Sequence, residues 1–248
     1  MIASEIENFA NEVTVDSLTK QVRLLLVRVP DEEAAMEWLD DQLDPLERIR
    51  AAEFRHRQSR LNYITARACV RLTLAKLLEI RPDALAFGFN PAGKPFLAAN
   101  RSPSLEFNIS HSGMHCLLAF ACGSQVGVDI EQWREQIDWK AIAERFFAED
   151  ERAWIADAEP ADQVRRFYDC WSLKEAFMKA TGVGLAAGLD TISFRQHISA
   201  RTEDAMPSVL DRGGKWYCGG VSMKLASHSA AVCWGQNGPS SYHLTCIA

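Results

Sequence analysis

The 248-residue sequence lacks several features that would each have marked a class of protein. It has no excess of basic charge: 27 Lys and Arg stand against 33 Asp and Glu, a net charge of −6. That excludes a non-specific nucleic-acid binder that neutralises many phosphates, so any polyanion must be held by a local basic pocket. It has no long apolar run. The aliphatic stretch nearest the N-terminus, Leu24 to Val27, is closed by Arg23 and Arg28, far short of the roughly 18–20 residues that span a bilayer. The first twenty residues carry scattered acids and no apolar segment, and do not read as a signal peptide. The seven cysteines include no CxxC pair and sit mostly in apolar runs. Such cysteines act as small hydrophobes, which predicts a reduced, cytoplasmic chain. A GxSxG elbow is absent, and no hydrolase triad order is visible.

What is present is ordinary in bulk and informative in detail. An apolar fraction of 48% and a charged fraction of 24% describe a globular chain and exclude disorder. Residues 22–29 are β-branched and apolar, a strand ended by Pro30. Helical runs follow near 31–43 and from Pro45, and the clearest helix spans 57–79, where Leu61, Ile64, Ala68, Leu72 and Ala75 recur at three- and four-residue steps. Arg60, Arg67 and Arg71 form a stripe bordering that apolar face. From Leu85 the period becomes two: LAFGF, LEFNIS, MHCLLAFAC and QVGVDIE read as strands, with Gly123-Ser124 placed as a hairpin turn between the last two. Helices over 138–148, 149–158 and 162–181 precede strands near 191–196, 215–225 and 228–235. Helices then strands, twice, predicts an α+β architecture built from two similar halves, and HCLLAFACG at 115–123 is faintly echoed by HSAAVCWG at 228–235.

Four patches could carry chemistry. In Gly127-Val128-Asp129-Ile130-Glu131, strand alternation puts both acids on one face, about 6–7 Å apart, where they need a cation. Mg²⁺ favours such a sparse oxygen site; the bland alternative is a solvated strand face. In Trp171 to Gly182, Glu175 and Lys179 are four apart on a helix and hence adjacent, with a routine surface pair as the alternative. Gly182 reads as a helix C-cap, and the GVGLAAG that begins there is not a dinucleotide loop because it follows a helix. Phe107 to Gly113 places His111 between Ser110 and Ser112, where donors could turn toward an anion or simply form a polar turn. Lys94 stands at a Gly/Pro turn, Asn90 to Phe96, from which an ammonium could reach a phosphate.

Each patch alone is weak, but their order is specific. GKP, FNISHSG, VGVDIE and WSLKEAFMKATG, spanning residues 91–184, resemble the 4′-phosphopantetheinyl transferase superfamily, in its double-length, surfactin-synthetase-activating type. The resemblance implies an enzyme that uses coenzyme A and Mg²⁺ to load 4′-phosphopantetheine onto a serine of an acyl or peptidyl carrier protein, releasing 3′,5′-ADP. It implies Asp129, Glu131 and Glu175 as metal ligands, Glu175 also as general base, and Lys179 as the pyrophosphate lysine. Lys94, Ser110 and His111 match groups around the coenzyme's phosphates and adenosine, with His111 also stabilising charge in the reaction. Arg60 is the choice for the 3′-phosphate, with Arg50 and Arg57 as rivals, and the carrier would dock on exposed apolar residues around Arg145-Phe146-Phe147. The halves would be 1–123 and 124–248, related by a pseudo-twofold, with one site in the cleft between them and a monomer as the working form. Two other classes compete: a non-catalytic coenzyme A or carrier-protein binding module, and a metal-dependent phosphoesterase. The expected partners include neither nucleic acid nor membrane.

Overall fold

The computed structural model describes residues 2–98, 104–182, 188–198, 207–211 and 214–247. Strands β1 (Val22–Arg28) and β5 (His115–Cys122) are apolar on both faces, so each face needs its own cover. They form the middle of a sheet ordered β10-β1-β5-β4, with β4 (Leu105–Ser112) and β10 (Tyr242–Ile247) at the edges. Helices α1 (Ile2–Glu12) and α5 (Arg57–Leu77) cover one face through Phe9, Leu25, Val70 and Phe120. The other face, through Leu24, Leu117 and Ala119, packs on Val128, Val232 and Trp234 of a second sheet. That sheet runs β6 (Val126–Gln132), β9 (His228–Gly235), β8 (Gly214–Gly220) and β7 (Ser208–Asp211). Its outer face is covered by α6 (Trp139–Phe146), α7 (Glu149–Ala156) and α8 (Pro160–Thr181) around Phe147, Phe167 and Phe177. The layers therefore run helix, sheet, sheet, helix. No described helix is long and apolar enough to cross a membrane.

The expected helices appear, and α5 keeps its apolar stripe, but several expectations are corrected. Gly123-Ser124 is not a hairpin turn: β6 pairs with β9, not with β5, and Gly123, at φ +74°, turns the chain from one sheet to the other. The period-two pattern shows strands but not their partners. The segment near 191–196 is not a strand. Leu189–Thr191 forms one 3₁₀ turn, and the Phe194 N–H bonds the Glu151 carboxylate at 2.8 Å while Ile192 and Phe194 drop into the core. β10 leaves the 124–248 half and pairs in parallel with β1, so the second half lends its last strand to the first sheet. Cys218 and Cys233 face each other across β8 and β9, Cα atoms 4.2 Å apart, and are joined as a disulfide, against the expectation of wholly reduced cysteines. Helix α1 and α2 (Val15–Lys20), within the acidic N-terminal run, were not expected; α2 is fixed by a Thr14–Ser17 capping box. Residues 183–187 of the GVGLAAG run lie outside the described residues, as do 100–103 of the Pro/Ser-rich patch at 100–104 and 206, 212 and 213 of the one at 206–214.

Two buried charge networks tie helices to neighbours. On the arginine stripe of α5, Arg67 and Arg71 are both buried and paired with Glu47, and Arg71 also with Asp44, on the N-terminal turn of α4 (Pro45–Ala52). In the second half, Lys174 of α8 pairs with Glu151 of α7 at 2.8 Å, both side chains fully buried. The ammonium also donates to the carbonyls of Leu189 (2.7 Å) and Ile192 (2.8 Å), and the carboxylate accepts the Ala148 N–H at 2.8 Å. Replacing Lys174 with methionine leaves that carboxylate buried without its cation, an expected loss of about 3–5 kcal/mol in urea unfolding. Burial already holds the Glu151 carboxyl above its usual range, with Lys174 opposing the rise. Without Lys174 the rise is larger, and a carboxyl with a raised folded pKa stabilises below its unfolded pKa and loses that stability as pH rises. The gap between variant and wild type should therefore widen from pH 5 to pH 8; a constant gap would contradict the pairing.

Candidate active site

Strand β6 sends Val126, Val128 and Ile130 into the core between the sheets and turns Asp129 and Glu131 toward α8, as alternation requires. Helix α8 comes close because Gly127 has no side chain. A Cβ there would lie 2.2 Å from the Ala176 carbonyl oxygen and 2.3 Å from the Ala180 nitrogen. Glu175 and Lys179 flank those alanines, which brings them over the strand acids. The Lys179 ammonium donates to Asp129 Oδ1 at 2.8 Å and to Ser110 Oγ at 2.9 Å. Gly182, at φ +71°, ends the helix as a left-handed cap, its N–H returning to Met178 O.

The acids are short of positive charge. Asp129 is 3% exposed, and its Oδ2 is buried with no hydrogen-bond partner. Burial, then the Asp129 charge, hold the Glu131 carboxyl above its usual range, opposed by a Ser112 hydroxyl and Lys179. Burial, then Asp129, with a smaller push from Glu131, raise the Glu175 carboxyl to about 7, against the pull of Lys179. Three carboxylates that feel one another, opposed by Lys179 and, at Glu131, also by Arg134, and with one buried acceptor unfilled, are the donor set a hard cation such as Mg²⁺ takes. The residues fit such an ion in chemistry, although among the described residues no three acids, histidines or cysteines already close into an ion cage.

Beside the acids lies a cleft of about 330 Å³, lined by Lys94 of the first half and by Glu175, Met178 and Lys179 of the second. Its size falls within the roughly 300–1,000 Å³ of small-molecule sites. Lys94 is half-buried, donates to the Val126 carbonyl at 2.9 Å, and is held below the usual lysine range by burial, with Glu106 opposing. His111 is the exposed residue of the otherwise buried or half-buried β4, and its imidazole is held below the usual histidine range by partial desolvation and next by the Lys179 ammonium.

Other expected residues fall elsewhere. Arg60 does not line this cleft. With Arg57 it lines a separate hollow that also holds Glu33, Glu37, Asp40 and Asp41, surroundings adverse to a phosphate. Arg50, paired with Glu53 at 2.6 Å, lines a third hollow with Asp44, Glu47, Tyr63, Arg67 and Phe87. Ser110 faces the seam between the sheets, where its hydroxyl donates to Asp129 Oδ1 at 2.9 Å. Phe147, expected on an exposed docking patch, is fully buried, 5.4 Å from Phe167 between ring centroids. Its aromatic neighbours on α8 were the missed signal. Asn108 and Ser112 were also missed as site-building residues; the alternating Asn-x-Ser-x-Ser of β4 would have marked a polar inner face.

Known protein families match both halves of this chain. Residues 125–233 match the 4′-phosphopantetheinyl transferase superfamily, and residues 31–123 match the N-terminal region of 4′-phosphopantetheinyl transferase. A 4′-phosphopantetheinyl transferase of Bacillus subtilis is 33% identical over 162 residues, 63% of this chain and 70% of the relative. The 4′-phosphopantetheinyl transferase HetI of Nostoc is 31% identical over 170 residues, 68% of this chain and 72% of the relative. The 4′-phosphopantetheinyl transferase Sfp of Bacillus subtilis is 30% identical over 165 residues, 66% and 71% of the two chains. Relatives from Synechocystis and Thraustochytrium are matched over 59% and 58% of their lengths. With both of its halves matched, and with relatives above 30% identity covered over more than two thirds of their length, this chain belongs to the 4′-phosphopantetheinyl transferase superfamily.

Proposed function

We propose that this protein transfers the 4′-phosphopantetheine arm of coenzyme A to a serine hydroxyl of an apo acyl or peptidyl carrier protein, releasing 3′,5′-ADP. The observation that carries this reading is the single cleft in which Lys94 of one half meets Glu175 and Lys179 of the other, beside buried Asp129. Asp129, Glu131 and Glu175 would hold Mg²⁺, which when bound supplies positive charge to the non-bridging pyrophosphate oxygens. In the transfer, the serine oxygen bonds to the β-phosphorus as the bond from that phosphorus to the 3′,5′-ADP oxygen breaks. Glu175 accepts the serine proton, directly or through water. Lys179 and His111 stabilise charge that builds on the phosphoryl oxygens and the leaving nucleotide, the principal lever in such reactions. Lys94 steadies the coenzyme from the opposite wall. The 3′-phosphate is assigned to the N-terminal arginines, Arg60 first with Arg50 and Arg57 as rivals, and each must turn from neighbouring acids to take it. Since one chain supplies both walls of the cleft, the working form is a monomer.

Incubating the protein with Mg²⁺, coenzyme A and a panel of apo carrier proteins from fatty-acid, polyketide and peptide assembly tests the reading. The expected result is a carrier mass increased by one phosphopantetheinyl group, and the favoured carrier identifies the pathway. No mass gain on any carrier, with the enzyme folded, would overturn it.

A further inference from the structure

Strands β4 and β6 are edge strands of different sheets, and edges leave backbone groups to be satisfied. Here the main chain of one edge is met by side chains of the other. The β6 N–H groups of Val128, Ile130 and Gln132 donate to Asn108 Oδ1 (2.9 Å), Ser110 Oγ (3.3 Å) and Ser112 Oγ (3.0 Å). Alternation on β4 places these three side chains at the spacing of alternate β6 amides, so they act as rungs between the sheets.

Two of the rungs do more. Ser110 Oγ accepts from Ile130 and Lys179 and spends its one proton on Asp129 Oδ1 at 2.9 Å, which saturates the hydroxyl. Ser112 Oγ accepts from Gln132 and donates to Glu131 Oε2 at 3.1 Å. In both cases the amide orients the hydroxyl, and the hydroxyl proton then points at the carboxylate one residue earlier in β6. Asn108 makes the same rung without touching an acid.

We propose that Ser110 and Ser112 are positioning residues that set the Asp129 and Glu131 carboxylates for a divalent cation, through hydroxyls oriented by the β6 backbone. This rests on the metal reading above. It assigns to the first half of the chain control over acids carried by the second.

The test is Mn²⁺ alone, titrated into the full-length protein and followed by the electron paramagnetic resonance of the free ion. Ser112→Ala is expected to weaken Mn²⁺ about 10–100-fold, the usual cost of losing a partner behind a metal ligand, and Ser112→Thr to restore it. Ser112→Cys keeps the size with a much weaker donor and answers the question should the alanine variant not fold. Wild-type affinity in Ser112→Ala, or weakening in Ser112→Thr equal to that in Ser112→Ala, would overturn the positioning role. If Asp129→Ala also binds Mn²⁺ like wild type, the metal reading fails with it; if Asp129→Ala loses the ion and Ser112→Ala does not, this inference alone fails.

Discussion

Replacing Asp129 with alanine is expected to lower the rate of phosphopantetheine transfer about a thousandfold or more, with the fold retained. The acid does three things at once: it holds the Lys179 ammonium at 2.8 Å, accepts a hydrogen bond from the Ser110 hydroxyl, and keeps a second oxygen buried and unfilled. Loss of a metal ligand removes several kcal/mol of charge stabilisation, and each 1.36 kcal/mol is tenfold in rate. The structural loss is small by comparison. Lys179 is 28% exposed at its side chain and can turn to water once its partner is gone. Asp129→Asn keeps the shape but not the charge, and should be nearly as slow. Carrier mass gain against time measures the rate, and thermal unfolding checks the fold. Turnover like wild type in Asp129→Ala would contradict the assignment.

Gly127→Ala is expected to cost about 3 kcal/mol, at the upper end of the overpacking range, or about 6–12 °C in melting temperature for a chain of this size. The added methyl would meet the Ala176 oxygen at 2.2 Å and the Ala180 nitrogen at 2.3 Å, both backbone atoms of α8. Neither can rotate away, so the whole helix must move. That movement separates Glu175 and Lys179 from Asp129, and transfer should fall along with stability. Gly123→Ala is the contrast. Its Cβ would meet nothing within 4 Å, and its only penalty is a left-handed backbone at φ +74°, about 1–2 kcal/mol. If Gly127→Ala melted no lower than Gly123→Ala, the close approach would not be what seats the helix.

Much of the site was legible because its key pairs are local. Asp129 and Glu131 are two apart on a strand, and Glu175 and Lys179 are four apart on a helix, so each pair shares a face wherever its element goes. The glycine at 182 announced its cap for the same reason. The surroundings of Arg60 were not legible, because a stripe of basic residues does not show which acids will face it, and helix α3 (Glu33–Asp40) supplied them. Phe147 failed because three consecutive residues beside a helix end do not reveal which way the chain turns next. The strand expected near 191–196 failed because alternating apolar residues bury equally well from an irregular segment satisfied by a carboxylate.

By itself, then, the sequence determined the elements, the faces on which the acids and lysines stand, and the family that their order resembles. Side-chain periodicity is a property of one helix or one strand, and it survives any packing. Only the tertiary structure decided which faces meet. It brought α8 onto β6 at a glycine, took β10 back to the first sheet, and turned the β4 hydroxyls toward carboxylates nearly twenty residues away. Those contacts depend on how two sheets fill the space between them, and packing of that kind is settled by the whole chain at once.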